Sequence, residues 1–282
     1  MWPRIKRRIR NGIAAVVRDR RIREPFTYHW LNSLCGRLVA ESEAAEIRPA
    51  YAWGVIHAAA LARRLGCQGV TVIEFGVAGG RGLTALERIA EIVERRFSFP
   101  IHVYGFDTGR GLPKPVDARD LPQLYAPDTY VMDEARLRST LRRAHLIIGP
   151  VAETLPAFIS GSPAPVGFVS FDLDYYSSTM DAFRLFDAPT AMLLPRIHCY
   201  MDDIMGTTFG DCNGERLAIS DFNTRHGSTK ISPIYGLNHI MPWPLRNGMW
   251  CEMMFMAHLL EHPAYASNDG LVTQANAPLG SW

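Results

Sequence analysis

The amino-acid sequence predicts an α/β fold in which a mostly parallel β-sheet is flanked by helices. Short β-branched segments alternate with helical segments along most of the chain, and such strand–helix–strand units build parallel sheets. A glycine-rich turn directly follows the first of these strands, as in sheets that bind a ligand at their carboxyl edge. The chain has 282 residues, of which 48% are hydrophobic and 21% charged, so it can bury a large core.

The elements follow one another without a composition break that would divide the chain. Strands are predicted at residues 70–74, 101–107, 146–149, 166–172, 191–194 with 196–201, and 250–258. Helices are predicted at residues 4–22, 49–65, 83–96, 153–159, 178–186 and 215–226, and Pro49 lies in the first turn of the second. Residues 109–132 contain four prolines and are predicted to form a loop.

The formal net charge of +2 conceals an uneven distribution. Residues 1–24 contain nine basic and two acidic side chains, which gives this arm a charge of +7 and leaves −5 for the rest. Ile5, Ile9 and Ile13 recur between its arginines at helical spacing, so the arm is predicted to be an amphipathic helix. It could pack on the body, on a partner subunit or on a membrane surface. We divide the chain into this N-terminal helical extension (1–48), a main domain (49–262) and a C-terminal tail (263–282).

Several protein classes are excluded by the sequence. No apolar run reaches the length of a membrane-spanning helix, and the apolar stretch at residues 12–17, after the basic start of the arm, is too short for a secretory signal. The five cysteines are scattered without a Cys-x-x-Cys pair, so we expect reduced thiols and a cytoplasmic location. The acidic body lacks an aromatic–basic motif, which argues against nucleic-acid binding.

The glycine turn predicts the ligand of the sheet. It places Glu74, Gly76 and Gly80 in the spacing Glu-x-Gly-x-x-x-Gly, which departs from the dinucleotide pattern because position 78 is alanine. The Glu74 carboxylate would repel a pyrophosphate but would suit a sulfonium or ammonium group. Asp107 ends the second strand, where an acid can accept hydrogen bonds from both hydroxyls of a ribose. These four residues are predicted to contact S-adenosylmethionine, with NAD as the alternative cofactor.

Four aspartates follow two later strands. Asp172 and Asp174 close the strand at 166–172, and Asp202 and Asp203 close the strand at 196–201. Adjacent parallel strands would bring these carboxylates together, where they repel each other unless a cation lies between them. Oxygen ligands favour Mg²⁺, with Ca²⁺ or Mn²⁺ as alternatives. Alternatively, the aspartates cap a helix or end a strand. His198, on the strand that leads to Asp202, is an alternative general base.

The motifs over residues 70–225 resemble the class I S-adenosylmethionine-dependent methyltransferases, and specifically the macrocin O-methyltransferase family of sugar-modifying enzymes. The matching stretches are Glu74-Phe75-Gly76-Val77, Gly105-Phe106-Asp107-Thr108, Asp172-x-Asp174-x-Tyr176-x-Ser178-Thr179 and Asp202-Asp203. The resemblance implies a Rossmann-like fold with a seven-stranded sheet and a methyltransferase domain over residues 49–262. It also implies Mg²⁺ held by Asp172, Asp202 and Asp203, with Asp174 as the general base.

The sequence therefore predicts an enzyme that transfers a methyl group from S-adenosylmethionine to a hydroxyl of a sugar or another small polar acceptor. Two alternatives stay open. One is an NAD-dependent oxidoreductase on a related sheet. The other is a non-catalytic protein that associates with membranes through its basic arm. Homo-oligomerisation is also left open.

Overall fold

A computed structural model of the protein describes residues 28–41, 47–161, 164–243 and 245–267. The predicted amphipathic arm helix and most of the predicted C-terminal tail lie outside these residues. Within them, no helix has both the length and the apolar character that are needed to cross a bilayer. The division of the chain at residues 48 and 262 stays a prediction.

The described residues form alternating strands and helices. The helices are α1 (Tyr28–Glu41), α2 (Pro49–Arg64), α3 (Arg81–Phe97), α4 (Glu134–Thr140), α5 (Val151–Gly161), α6 (Tyr176–Phe183), α7 (Gly214–Arg225) and α8 (Leu237–Ile240). The strands are β1 (Val70–Phe75), β2 (Ile101–Asp107), β3 (His145–Ile148), β4 (Val166–Phe171), β5 (Leu193–Met201), β6 (Thr229–Pro233) and β7 (Met254–Leu259). Short 3₁₀ turns connect several of them.

These strands form one seven-stranded sheet in the order β3-β2-β1-β4-β5-β7-β6. The pairs from β3 to β5 are parallel, whereas β7 runs antiparallel to both β5 and β6. The predicted α/β fold, with a mostly parallel seven-stranded sheet flanked by helices, is confirmed. The strands β1 and β4 are buried along their whole length, as continuous apolar runs in a sheet covered on both faces should be.

The boundaries differ from the prediction near the end of the chain. The two apolar segments predicted at 191–194 and 196–201 form a single strand that continues through Pro195. The last strand begins at Met254 rather than at residue 250, because residues 249–251 form a 3₁₀ turn. Strand β6 was not predicted, since its short segment contains Lys230 and ends in Pro233. The helix α1 lies within the predicted N-terminal extension.

Helix α2 places its first residues at the carboxyl edge of the sheet. It is alanine-rich and buried from Ala50 to Ala62, because α1 and α3 on one side and β4 and β5 on the other enclose it. Gly54 lets the helix approach the sheet: a Cβ atom there would lie 2.1 Å from the Phe168 ring. This close contact packs the helix against β4, and the residue before its first turn is Arg48.

Candidate active site

Residues predicted to be functional lie at one edge of the sheet. Glu74 is the penultimate residue of β1, and Asp107 ends β2. Asp172 directly follows β4, and Asp202 directly follows β5, its parallel neighbour. Because parallel strands end at a common edge, side chains from four different strands meet there.

Three aspartates form a compact cluster, which we call the acid triad: Asp172, Asp202 and Asp203. One carboxylate oxygen from each lies within 4.8 Å of the others. Burial raises the pKa of Asp172 to about 9, and the charges of Asp202 and Asp203 add to the shift. Burial and the charges of Asp174 and Asp202 likewise raise the pKa of Asp203 to about 7. Mutually repelling oxygen ligands are stabilised by a divalent cation, so this donor set fits the predicted Mg²⁺.

Asp174 lies beside the acid triad in a backbone conformation that is uncommon for a residue with a side chain. Its φ is +60°, and it is 8% exposed. Its N–H donates a 2.9 Å hydrogen bond to Oδ2 of Asp203. It does not cap the following helix, because the capping position of α6 belongs to Tyr175. Burial raises the pKa of Asp174 to about 6, which suits a general base near neutral pH.

Three further side chains hold the acid triad in place. Fully buried Glu215, in the first turn of α7, accepts a 3.0 Å hydrogen bond from the N–H of Asp203. The hydroxyl of Tyr125 donates to Oδ1 of Asp203 at 3.1 Å, and the hydroxyl of Tyr200 donates to Asp202 at 2.7 Å. Oε1 of Glu215 has no partner among the described residues, and burial raises the pKa of this carboxyl well above its usual range.

The loop that carries Tyr125 is fastened to the sheet edge by Asp120. This fully buried carboxylate accepts hydrogen bonds from the N–H and the hydroxyl of Ser177, at 2.8 and 2.9 Å, and from the N–H of Val116 at 2.8 Å. Ser177 belongs to the first turn of α6, so Asp120 satisfies a free N–H at the start of that helix. The predicted loop is thereby held with Tyr125 against the acid triad.

The glycine turn packs directly against this cluster. Gly76 has a φ of +83°, and a Cβ atom there would lie 1.7 Å from the carbonyl oxygen of Asp172. The turn and the strand end that carries Asp172 of the triad therefore touch through backbone atoms. Gly80, with a φ of +82°, precedes the first residue of α3. At Gly79 a Cβ atom would meet no described atom within 4 Å, so the turn has an open face for a ligand.

Asp107 organises the glycine turn from the end of β2. One of its oxygens accepts hydrogen bonds from the N–H groups of Val77 and Ala78, at 2.9 and 2.8 Å. The other accepts from Gly109 at 2.7 Å. Each carboxylate oxygen has two lone pairs, so acceptor capacity remains for a ribose hydroxyl. The sequence predicted the ligand contact but not these backbone contacts.

Glu74 is placed beneath the turn instead of at its surface. It is 1% exposed, and burial raises its pKa to about 8. The hydroxyl of Tyr51 donates to Oε1 of Glu74 at 2.6 Å, lies 2.8 Å from the Ser170 hydroxyl and accepts from Nη1 of Arg48 at 3.1 Å. Oε2 of Glu74 has no partner among the described residues. Glu74 thus ends a buried chain of polar groups that begins at Arg48.

His198 lies away from the acid triad. It is 4% exposed, and its ring packs against those of Trp53 and His57, with centroids 5.1 and 5.6 Å away. It precedes Asp202 by four residues, which is about 13 Å along a strand. Burial lowers the pKa of His198 to about 3, so the imidazole is neutral. These observations describe a histidine of the core, and Asp174 is the candidate base that lies beside the acids.

Sequence reasoning missed Arg48, Tyr51, Tyr125 and Glu215. Two of them leave a weak signal in the sequence: Arg48 directly precedes a proline at a helix start, and Glu215 lies in the first turn after Asn-Gly. The two tyrosines leave none, because their contacts join segments that are far apart in the chain.

Comparisons with known proteins give matches among solved structures only. No protein-family model and no curated protein matches the chain. The calicheamicin methyltransferase CalS11 is 20% identical, covers 83% of this chain and 93% of its own, and has a TM-score of 0.48. The O-methyltransferase NovP is 16% identical, covers 63% of this chain and 72% of its own, and has a TM-score of 0.46. The cofactor-bound protein Rv0187 from MTB is 16% identical, covers 89% of this chain and 96% of its own, and has a TM-score of 0.42.

The first two of these proteins are methyltransferases, the class that the sequence motifs resemble. At such identities and TM-scores the similarity does not identify the chemistry of the site, which depends on the residues of the site itself.

Proposed function

We propose that this protein is an S-adenosylmethionine-dependent O-methyltransferase that uses Mg²⁺ and acts on a hydroxyl of a sugar or another small polar acceptor. One observation carries the proposal. A glycine turn with an open face and an acid triad of metal-ligand geometry are in backbone contact at one edge of the sheet. A methyl donor on the turn and a hydroxyl beside the triad would therefore be neighbours, as methyl transfer requires.

The residues would share the reaction as follows. Asp172, Asp202 and Asp203 would hold the Mg²⁺, which polarises a hydroxyl and lowers its pKa. Asp174 would accept the proton of the hydroxyl as the oxygen–methyl bond forms and the sulfur–methyl bond breaks. S-adenosylhomocysteine and the methyl ether are then the products. With a pKa of about 6, the Asp174 carboxyl is largely ionised at pH 7 and can take up that proton.

The competing functions gain no specific support. The turn that would bind NAD lacks the second glycine of the dinucleotide pattern, and Ala78 stands at that position with a φ of +45°. The membrane-associated alternative depends on residues 1–24, which lie outside the described residues. The cytoplasmic location and the oligomeric state stay predictions.

Two measurements test the proposal. Isothermal titration with S-adenosylhomocysteine should show binding to the folded protein, and the absence of binding would contradict the proposed activity. Turnover is then followed by mass spectrometry as a gain of one methyl group on hydroxyl-bearing acceptors. Asp174→Asn should lower turnover by about 10²- to 10⁴-fold while cofactor affinity is retained, because a general base contributes that much.

Asp187→Asn is the matched control. Asp187 lies in the 3₁₀ turn after α6, exposed and bonded only to His226 among the described residues. Removing the charge of this side chain should leave turnover unchanged. Equal turnover of the Asp174→Asn variant and the wild-type protein would remove Asp174 from the mechanism.

A further inference from the structure

Arg48 places a positively charged guanidinium with few hydrogen bonds at the edge of the site. It immediately precedes α2, where Pro49 fixes the first turn. Its guanidinium carbon lies 5.1 Å from the centroid of the Tyr51 ring, and Nη1 donates one hydrogen bond, to the Tyr51 hydroxyl. A guanidinium has five N–H donors, so most of its capacity is unused by the described residues.

The surroundings of Arg48 are acidic. Burial alone would lower its pKa, but Tyr51 and the carboxylates of Glu74, Asp172 and Asp202 raise it, so the guanidinium stays charged. In turn, the charge of Arg48 lowers the pKa of the buried Glu74 carboxyl. Arg48 is therefore a cation that acts on the carboxylates of this crevice.

A simple role as counter-ion does not account for this geometry. Within the described part of the chain, the one hydrogen bond of Arg48 goes to a neutral hydroxyl, and it makes no salt bridge with a carboxylate. A guanidinium kept charged, near acids but unpaired, has parallel N–H donors available for an incoming anion. The parallel N–H donors of a guanidinium can bond to both oxygens of a carboxylate at once, so a carboxylate is an anion that fits them well.

We propose that Arg48 binds the α-carboxylate at the amino-acid end of the methyl donor and of its demethylated product. This inference rests on the proposed function. That end of the donor carries a carboxylate and an ammonium group. The Arg48 guanidinium complements that carboxylate, and the Glu74 carboxyl complements the ammonium group once it releases its proton. The Tyr51 hydroxyl joins the two side chains through bonds of 3.1 and 2.6 Å. Oε2 of Glu74, buried without a partner among the described residues, lacks the donor that an ammonium group would supply.

The experiment compares two ligands that differ in one group. S-adenosylhomocysteine has the carboxylate, and its decarboxylated analogue, an aminopropylthio-adenosine, does not. Their affinities are measured by isothermal titration for the wild-type protein, Arg48→Gln, Arg48→Lys and Arg88→Gln. Arg88 is an exposed arginine of α3 that pairs with Glu91, and it serves as the control. Thermal unfolding checks that each variant is folded.

We expect the wild-type protein to bind S-adenosylhomocysteine about 10- to 100-fold more tightly than the analogue, as for a charge-assisted hydrogen-bond pair. Arg48→Gln should lose that preference through weaker binding of S-adenosylhomocysteine alone, and Arg48→Lys should keep part of it. Arg88→Gln should behave as wild type.

Two results would overturn the inference and leave the proposed function intact. One is a wild-type protein that binds both ligands equally well, a result that needs no variant to fold. The other is an Arg48→Gln variant that binds both with equal loss, or with none. Failure of the wild-type protein to bind either ligand would instead overturn the proposed function together with the inference.

Discussion

The acid triad makes the stability of the metal-free protein depend on pH in an unusual direction. The pKa of Asp172 is raised to about 9 in the folded protein, chiefly by burial, whereas an aspartate in the unfolded chain has a pKa near 4. A group whose pKa is raised by folding stabilises the fold at low pH, and this contribution is lost as the pH rises toward the folded value. Between pH 7 and pH 8 the folded protein therefore holds a proton that the unfolded chain has released.

The magnitude follows from proton linkage. Each proton retained only by the folded state lowers the free energy of unfolding by about 1.4 kcal/mol per pH unit. Glu74, with a pKa of about 8, and Asp203, with a pKa of about 7, act in the same direction as Asp172. The buried histidines do not oppose this, because His57 and His198 have lowered pKa values and are neutral in both states above pH 7.

Urea unfolding in EDTA at pH 7 and pH 8 measures the effect. The wild-type protein should lose about 1.4 kcal/mol or more over this interval. Asp172→Asn should lose about 1.4 kcal/mol less, and Asp187→Asn should match the wild type. Saturating Mg²⁺ should raise stability by about 3 kcal/mol at a concentration 100-fold above its dissociation constant and should flatten the pH dependence. Equal stability at both pH values in EDTA, or no response to Mg²⁺, would refute the electrostatic account of the triad.

Two further predictions concern packing and the support of the triad. Gly76→Ala should lower the free energy of unfolding by about 2–4 kcal/mol, because its Cβ would meet the Asp172 carbonyl at 1.7 Å with φ at +83°. Gly66→Ala, with a φ of +77° but open space around it, should cost only about 1 kcal/mol in the same urea assay. Tyr125→Phe should weaken Mg²⁺ binding about 10-fold in isothermal titration, since its hydroxyl orients a carboxylate of the proposed ligand set. Tyr235→Phe, at a tyrosine that is 85% exposed and makes no side-chain hydrogen bond among the described residues, should leave the affinity unchanged.

The parts of the site that end strands could be predicted from the sequence. A β-branched run followed by an acid fixes both the strand and the place where it ends, and parallel pairing then brings successive ends together. The strand ends predict that Asp172, Asp174, Asp202 and Asp203 come together, and the resemblance implies the choice of three of them as metal ligands. One oxygen each of Asp172, Asp202 and Asp203 does lie within 4.8 Å of the others. Gly76 and Gly80 could be assigned for a similar reason, because a tight turn after a strand requires positive φ.

The residues that support these acids could not be predicted, since their contacts depend on tertiary packing. Tyr51 reaches Glu74 across 23 positions and Ser170 across 119, and Tyr125 reaches Asp203 across 78. No local period or spacing encodes such pairs. Asp107 illustrates a subtler limit. The strand end predicts where its carboxylate lies, but not that three backbone N–H groups already bond to it.

The electrostatics of the site link its folding to its ligands. Buried Glu74, Asp203 and Glu215 each lie among other acids, and Arg48 is a basic side chain that favours the ionised form of Glu74. Burial and the neighbouring acids together raise these pKa values, so the carboxyls hold protons when no cation is present. A divalent ion at the triad, or the sulfonium and ammonium charges of a methyl donor, would displace those protons. Binding of either should therefore release protons to the solvent.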